Sequence, residues 1–439
     1  MPVEERDIRL LLPDRAGTSV VVDSDGRLPS IRVTLADGAT TAGTVVREIL
    51  PGLGLSVPII DCFVDQSGSD DGPTVALVEV EPPQSAWQPP EGWQWAELAD
   101  VDDTIAPALQ DHLTQLLEER RGRRPVPELR PLWCRHGWYE RVCRWVGEQL
   151  AASGRAQPTR IEPLRQWGIS AVMRVELPEA RCWFKAVFPH FRAEPTITAF
   201  LDRELPGSVA PVIAIESGDG WLLLDDVGSD VAAAHAELHH DAIARLVTLQ
   251  RVFTDRTDEL EAAGLPRRSI RELPHVLAEA LSAPAVQATL AVEPGRADHV
   301  VAWLRDAVAR IDALGYPETL VHGDFHPGNV AVARGTPIVF DWSDAAISHP
   351  LIDVVTWTWW YEDDAERVDG IWSKFLDEWA DVVPAERFAA HRATFEGVAS
   401  AYHTVSYAGI VKGLEPTRRI EHAGGLSNFF SKLDAAARA

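Results

Sequence analysis

The segment LVHGDFHPGNVAVARGTPIVFDWSDA, residues 320–345, constrains the fold of this chain more than any other part of its sequence. An apolar run stops at the polar loop HGDFHPGN, continues as VAVA, turns at RGTP and returns as IVF into Asp341. Apolar runs joined by such a turn predict a β-hairpin. The hairpin brings Asp324, just past one strand, close to Asp341, at the end of another.

Asn329 lies five residues after Asp324, within the same polar loop. A carboxylate that accepts a proton, with an asparagine and a second carboxylate that offer oxygen ligands to Mg²⁺, is the arrangement that phosphoryl transfer requires. The spacing therefore predicts Asp324 as the catalytic residue and Asn329 and Asp341 as metal ligands. A polar hairpin without catalytic use is the alternative.

The pattern H-G-D-x-H-x-x-N resembles the aminoglycoside phosphotransferase and choline kinase group, which are small-molecule kinases with a protein-kinase-like fold. Protein kinases share the Asp-to-Asn spacing but lack the second histidine, here His326. The resemblance implies an α+β, bilobal fold with a β-rich N-lobe and a mostly helical C-lobe. It also implies that ATP and Mg²⁺ are the cofactors and that the γ-phosphoryl group goes to a hydroxyl of a small molecule.

Such a kinase requires an N-lobe lysine that holds the nucleotide phosphates and a glutamate on the next helix that orients this lysine. The chain has only four lysines among 41 basic residues, and Lys185 is the one inside an apolar β-rich run, WFKAVF. Burying an ammonium without an anionic partner is costly, so this position favours a functional lysine over a surface lysine. Glu194 opens the following helical segment and is the predicted partner, with Asp202 and Glu204 further along.

Two further segments are candidates for nucleotide contacts. QWGISAVMRV, residues 166–175, has a single glycine, and its backbone amides and the Ser170 hydroxyl would approach the phosphates. GWLLLDDVG, residues 220–228, fits the hinge between the lobes, and an ordinary core strand is its alternative. The hinge residues predicted to pair with the adenine are Leu224, Asp225 and Val227.

Four residues around the polar loop are predicted to support it: His322, His326, Asp344 and Asp353. The resemblance implies that His322 packs and hydrogen-bonds within the loop. It also implies that Asp353 accepts backbone hydrogen bonds and braces the loop. His326 contacts either the loop or a phosphate, and Asp344 lies close to the metal site.

The first 105 residues predict a compact α+β unit, in which turn signals separate β-rich runs at 20–23, 31–35, 57–65 and 74–81. Between them, REILPGLGL resembles the end of the Nudix box, R-E-U-x-E-E-x-G-U, where U is a bulky aliphatic residue. Pro51 and Gly52 replace the two glutamates that would bind metal, so we expect a small α/β/α Nudix-like domain without hydrolase activity. An unrelated domain used for docking, dimerisation or capping is the alternative.

Four parts are therefore predicted along the chain: a Nudix-like domain at 1–124, a linker at 125–131, a kinase N-lobe with a leading helix at 132–226, and a helical C-lobe at 227–439. Within the N-lobe, PLRQWGISAVMRVEL and ARCWFKAVF each predict one β-rich run. From about residue 230 onward the pattern is mainly helical, apart from the β-rich insert that contains the polar loop.

Composition excludes several classes of partner. A formal charge of −25 disfavours nucleic acid, which is bound through clustered lysine and arginine. No apolar run approaches the roughly 18 residues that a membrane span needs. The early acidic residues do not fit a secretory signal, and the four cysteines lack metal-ligand spacing, so we expect a cytoplasmic protein with reduced thiols.

The acceptor is the least constrained feature. VVTWTWWYEDDAE, residues 354–366, places three tryptophans beside acidic residues, which suits a sugar or an amino-bearing ligand. A tryptophan-rich helix is more often part of a core, however, and an acidic run is more often a solvated face. An aminoglycoside, an amino sugar, another sugar or a choline-like alcohol fits. The alternative functions are a nucleotide-binding pseudokinase, a Nudix-type hydrolase and a protein-substrate kinase.

Overall fold

The computed structural model describes residues 4–35, 44–45, 49–64, 74–81, 87–97, 101, 107–228, 231–293, 295–333 and 335–439. The chain forms two compact units. The first comprises Met1–Ala186 with Glu415–Thr417, and the second comprises Val187–Leu414 with Arg418–Ala439.

The first unit begins with a mixed four-stranded sheet. Its strands are β1 (Glu4–Leu11), β3 (Ser30–Leu35), β4 (Ile59–Val64) and β5 (Thr74–Val80), and their order is β3-β1-β5-β4. Strands β1 and β5 are parallel, whereas the other neighbours are antiparallel. A separate antiparallel pair joins β2 (Ser19–Asp23) to β6 (Trp93–Glu97). The four predicted runs are therefore strands.

Strand β1 is absent from the sequence prediction, although it is central to this sheet. Its buried residues, Ile8 and Leu10, alternate with charged ones, which is the pattern of a half-buried strand. The many charged residues at the start of the chain make this alternation difficult to recognise in the sequence. The part of the Nudix-like segment that the structure describes contains a short helix at Leu50–Gly52, and the Nudix resemblance stays a prediction.

Two helices and three strands complete the first unit. The helices are Pro107–Arg120 and Trp138–Ala152, and the strands are β7 (Arg160–Gln166), β8 (Ser170–Glu176) and β9 (Arg181–Val187). The predicted β-rich run PLRQWGISAVMRVEL contains most of the β7–β8 hairpin, because the chain reverses where the Trp167 amide donates to the Ser170 carbonyl.

Residues of the predicted linker and N-lobe make long-range contacts within this first unit. The Gln166 side chain hydrogen-bonds to both backbone groups of Ile59. Arg130, in the predicted linker, forms a bidentate ion pair with Glu415 at 2.7 and 3.0 Å. Buried bidentate pairs of this kind hold segments in a defined orientation.

The second unit is mainly helical. Its first helix, Glu194–Glu204, is followed by a hairpin of β10 (Val212–Glu216) and β11 (Trp221–Asp225). Two short antiparallel pairs follow, β12 (Thr319–Val321) with β15 (Ala346–Ser348) and β13 (Val330–Ala333) with β14 (Thr336–Val339). The helices are Glu194–Glu204, His239–Val252, Thr257–Ala262, Leu273–Ser282, Pro284–Leu290, Arg296–Asp312, Leu351–Trp359, Ala365–Glu378, Ala385–Ala389, Arg392–Gly413 and Ile420–Arg438.

This arrangement confirms the predicted α+β class, with β-rich structure first and helical structure after residue 230. One large apolar core lies between the helices of the second unit, and the short strands pack against it. It includes Val321 before the polar loop and Val339 at the end of β14. Among the described residues, no helix is long and apolar enough to cross a membrane.

Candidate active site

The polar loop HGDFHPGN connects β12 to β13 and is fixed from below by a buried carboxylate. Asp353, fully buried in the helix Leu351–Trp359, accepts the backbone N–H groups of His322 at 3.0 Å and Gly323 at 2.9 Å. Its third donor is the buried side-chain amide of Gln250, at 3.0 Å. Burial raises the pKa of Asp353 to about 7, although these three donors oppose that shift. Asp353 thus has the bracing contacts that were predicted for it.

Gly323 occupies a position that only glycine fits. Its φ is +82°, and a Cβ atom there would lie 2.2 Å from the backbone oxygen of Asp344. The loop therefore passes directly over the turn that follows Asp341. This clash and the positive φ explain why glycine is required at the second position of the H-G-D pattern.

We expect Gly323→Ala to lower the free energy of unfolding by at least about 3 kcal/mol, because left-handed strain and a backbone clash add. Urea unfolding measures this loss. Gly335→Ala is the matched control, since Gly335 also has a positive φ, +77°, but has no atom within 4 Å of the added Cβ. Equal losses in the two variants would contradict the steric explanation.

His322 links the loop to the end of β14. Its Nδ1 accepts the Asp324 N–H at 3.3 Å, and its Nε2 donates to the Phe340 carbonyl at 2.9 Å. Burial lowers its pKa to about 4, so the ring is neutral at pH 7 and can make both bonds. The ring therefore positions Asp324 relative to the residue before Asp341.

The lowered pKa of His322 predicts acid sensitivity. The unfolded chain binds a proton near the ordinary pKa of about 6.5, whereas the folded chain binds it only near pH 4, so stability is lost as pH falls through this window. His322→Gln should reduce the slope of unfolding free energy against pH by about 1.4 kcal/mol per unit between about pH 6 and pH 5. Urea unfolding at both pH values tests this, with His275→Gln, at an exposed position, as the control. An unchanged slope in His322→Gln would contradict it.

Asp324 is exposed and lies next to Asn329, which is buried and only 7% exposed. The Asn329 side-chain amide donates to the Asp324 carbonyl at 3.0 Å and approaches its carboxylate at 3.4 Å. These bonds leave the Asn329 side-chain oxygen for another partner. The Asp324 side chain is 51% exposed, so an acceptor molecule can reach its carboxylate.

Asp341 follows β14 in a strained backbone conformation. Its φ of +63° is rare for a residue with a side chain. The N–H of Phe340, the residue before it, donates to the Asn329 carbonyl at 3.1 Å, so the hairpin places Asp341 beside Asn329. The Ser343 hydroxyl donates to the Asp341 carboxylate at 2.7 Å. The hairpin thus brings the two predicted metal ligands together.

The oxygen atoms of Asn329 and Asp341 fit a Mg²⁺ ion. Mg²⁺ prefers oxygen ligands and is commonly bound by one or two protein groups, with phosphates and water completing its shell. Among the described residues, no group of three or more histidine, cysteine, aspartate or glutamate side chains could hold a metal by itself. The assignment of Asn329 and Asp341 as metal ligands stays a prediction.

His326 and Asp344 have different surroundings. His326 accepts the Gly328 N–H at 3.0 Å, lies 3.7 Å from the Asp324 carboxylate and stacks on Trp360 with ring centroids 4.7 Å apart. Asp344 is 7% exposed and bonds Arg268 at 2.6 Å and Ser406 at 2.8 Å. The Asp344 carboxylate is thus bonded to protein groups. The sequence prediction placed Asp344 near the metal site but did not include these two partners.

The predicted nucleotide-binding residues are distributed over both units. Lys185, 9% exposed, lies in β9 of the first unit, whereas Glu194, 1% exposed, begins the helix Glu194–Glu204 of the second. The Ser170 hydroxyl accepts the Trp167 indole N–H at 2.6 Å and closes the β7–β8 turn. The predicted hinge residues lie at the end of β11 and just after it. Leu224 and Asp225 end this strand, and Val227 comes two residues later.

Three residues of the site were absent from the sequence prediction: Gln250, Arg268 and Ser406. Each bonds a carboxylate that lies between 62 and 103 positions away in the chain. No local motif marks such partners. A buried glutamine in an otherwise apolar helical face, as at Gln250, is the one signal that sequence inspection offers.

A comparison with models of known protein families finds a match for part of the chain. Residues 174–384 match the family described as the phosphotransferase enzyme family. The matched range contains every predicted site residue except Ser170. A comparison with curated proteins finds no match.

Several solved structures are similar at low identity. Choline kinase LicA from Streptococcus pneumoniae is 13% identical, with a TM-score of 0.47, over 66% of this chain and 99% of that chain. The GDP and kanamycin complex of APH(2")-IIia is 14% identical, with a TM-score of 0.47, over 67% and 98%. Choline kinase from Cryptosporidium parvum Iowa II is 11% identical, with a TM-score of 0.49, over 67% and 95%.

The family match carries the assignment, because it covers the polar loop and the carboxylate that follows it. Residues 174–384 match the phosphotransferase enzyme family, and this match supports the small-molecule kinase that the pattern H-G-D-x-H-x-x-N predicts.

Proposed function

We propose that this kinase transfers the γ-phosphoryl group of ATP, with Mg²⁺, to a hydroxyl group of an amino-bearing small molecule. The observation that carries the proposal is the loop geometry. A half-exposed carboxylate, Asp324, is hydrogen-bonded to Asn329 and joined through the β13–β14 hairpin to Asp341. Phosphoryl transfer is catalysed mainly by positioning and charge stabilisation, which such a braced loop supplies.

Asp324 would orient the acceptor hydroxyl and take its proton. Asn329 and Asp341 would hold Mg²⁺, which neutralises charge on the nucleotide phosphates when it is bound. His322 and Asp353 would keep the loop in place through their backbone hydrogen bonds. By the family resemblance, Lys185, oriented by Glu194, would bind the phosphates.

The tryptophan-rich segment divides into core and surface. Trp357 is fully buried, Glu362 pairs with Lys432, and Asp364 caps the helix Ala365–Glu378, so these three residues have structural partners. Trp360 is different, because it is 52% exposed and stacks on His326 beside Asp324. An exposed aromatic ring next to a carboxylate suits a cationic acceptor.

We expect Trp360→Ala to raise the KM for the acceptor by about 5- to 30-fold, because a cation–π contact contributes about 1 to 2 kcal/mol. The KM for ATP should not change. Steady-state kinetics with each substrate varied in turn measure both values. Trp360→Phe, which retains a ring, should recover most of the affinity, and an unchanged acceptor KM in Trp360→Ala would remove Trp360 from the acceptor site.

The test of the function is nucleoside diphosphate release from purified protein with ATP and Mg²⁺. The acceptor panel contains aminoglycosides, amino sugars, neutral sugars and choline. Release that depends on an amino-bearing acceptor and disappears in Asp324→Ala supports the proposal. Turnover with neutral sugars alone would contradict the amino-bearing class, and no turnover with any acceptor while ATP still binds would favour a nucleotide-binding module.

A further inference from the structure

A cavity of about 900 Å³ lies within the first unit. This volume falls in the range of about 300 to 1,000 Å³ that small-molecule sites occupy. Leu55, Val57 and Ile161 form apolar parts of its wall, and Trp87 and Tyr139 add aromatic ones. Among the described residues that line it, none belongs to the predicted phosphotransferase site.

A buried carboxylate faces this cavity, and we name the cavity after it, the Glu81 cavity. Glu81 is 9% exposed, and one of its oxygens accepts the Gly137 N–H at 2.9 Å. The other oxygen is buried and has no hydrogen-bond partner among the described residues. Buried acceptors are nearly always paired, so this oxygen indicates a missing donor.

Three of the described arginines line the same cavity: Arg160, which is paired with Glu162, and two others, Arg15 and Arg120. The Arg120 side chain is 6% exposed, donates to the Asp14 carbonyl at 2.6 Å and has a buried Nε without a partner among the described residues. Arg15 is exposed, forms no ion pair with any described residue, and its charge acts on Glu81. Guanidinium groups bind the planar oxygens of carboxylates and the oxygens of phosphates.

Arg120 is held in place by its neighbours, and the charges of Glu79, Glu81 and Asp14 act on it. Glu79 lies 3.5 Å from it, and His136 lies 3.3 Å from it and 3.4 Å from Glu79. Burial raises the pKa of Glu79 to about 8, and burial together with the Arg120 charge lowers the pKa of His136 to about 4. An anion entering the cavity would therefore meet a fixed positive group.

We propose that the Glu81 cavity binds a small organic anion that also carries hydroxyl or amino donors. Arg15 and Arg120 bind its phosphate or carboxylate group, and the free oxygen of Glu81 accepts from one of its donors. The apolar and aromatic wall covers the carbon skeleton. This site is separate from the phosphotransferase chemistry and does not depend on it.

Calorimetric titration of the full chain tests the proposal with three related probes. Glucose 6-phosphate and gluconate carry the two kinds of anionic group on a polyhydroxylated skeleton, and glucose carries neither. We expect at least one of the two anions to bind and glucose to bind at least tenfold more weakly. Comparison of the two anions distinguishes phosphate from carboxylate recognition.

Variants locate the binding. Arg15→Gln should weaken binding of the anion by about 10- to 100-fold, as expected for a lost charge-assisted hydrogen bond, without disturbing packing. Arg27→Gln, at an exposed position of the same unit outside the cavity, should bind as the parent does. Asp324→Asn should also retain binding, because Asp324 belongs to the other unit.

Four results would overturn the proposal. The first is that neither anion binds, and the second is that Arg15→Gln binds as tightly as the parent. The third is that Asp324→Asn loses binding while Arg15→Gln keeps it, which would place the probe in the phosphotransferase site. Glucose binding as tightly as the anions would equally exclude recognition by Arg15 and Arg120.

Discussion

Asp324→Asn should reduce kcat by about 10²- to 10⁴-fold while leaving the KM for ATP within about twofold of the parent value. Asparagine has the shape of aspartate but cannot take the proton of the acceptor hydroxyl. The Asp324 side chain is half exposed, and the backbone N–H and carbonyl of this residue bond to His322 and Asn329. The loop should therefore keep its structure in the variant. Initial-rate measurements with a saturating acceptor give both constants.

A matched control separates chemistry from charge. Asp363→Asn removes the same charge from an exposed position in the same unit, and it should leave kcat unchanged. Thermal unfolding of Asp324→Asn should lie close to that of the parent, since its backbone bonds to His322 and Asn329 persist. A kcat within about threefold of the parent would mean that Asp324 is not the base.

The arrangement of the polar loop could be predicted from the sequence because it depends on local spacing. Asp324 and Asn329 are five residues apart, and a hairpin turn brings Asp341 back to them. Such distances are determined by backbone geometry alone. A short sequence pattern is therefore enough to predict that these three residues lie close together.

The support beneath the loop could not be predicted in the same way. Asp353 was expected to accept backbone hydrogen bonds, but Gln250, which shares its carboxylate, comes from a helix 103 residues earlier. The Arg268 and Ser406 contacts of Asp344 likewise depend on how helices pack. The packing of the helices is determined by the whole apolar core. No short sequence segment can therefore predict these hydrogen-bond partners.

Turns and charged strands account for the remaining differences. PLRQWGISAVMRVEL has β-rich composition throughout, so its division into β7 and β8 depends on a turn held by the Trp167 and Ser170 contacts rather than on composition. Strand β1 carries charges at its exposed positions, although Ile8 and Leu10 are buried. Composition thus indicates strand content better than strand number.

Asp341→Asn should raise the Mg²⁺ concentration needed for half-maximal activity by at least about tenfold, because even residues behind metal ligands change metal affinity by 10- to 100-fold. Asparagine retains an oxygen but loses the charge. It also tolerates the positive φ of +63°, so stability should be close to that of the parent. Activity against Mg²⁺ concentration, at fixed ATP and acceptor, measures the shift.

Two further variants separate the metal role of Asp341 from its backbone role. Asp341→Ala should show the same metal defect and also lose about 1 kcal/mol of stability or more, because alanine fits a positive φ poorly. Ser343→Ala removes only the hydroxyl that donates to Asp341 at 2.7 Å, so its Mg²⁺ requirement should lie between those of the parent and Asp341→Asn. If all three variants kept the parent's Mg²⁺ dependence, Asp341 would not be a metal ligand, and the strained backbone at its position would have a structural cause alone.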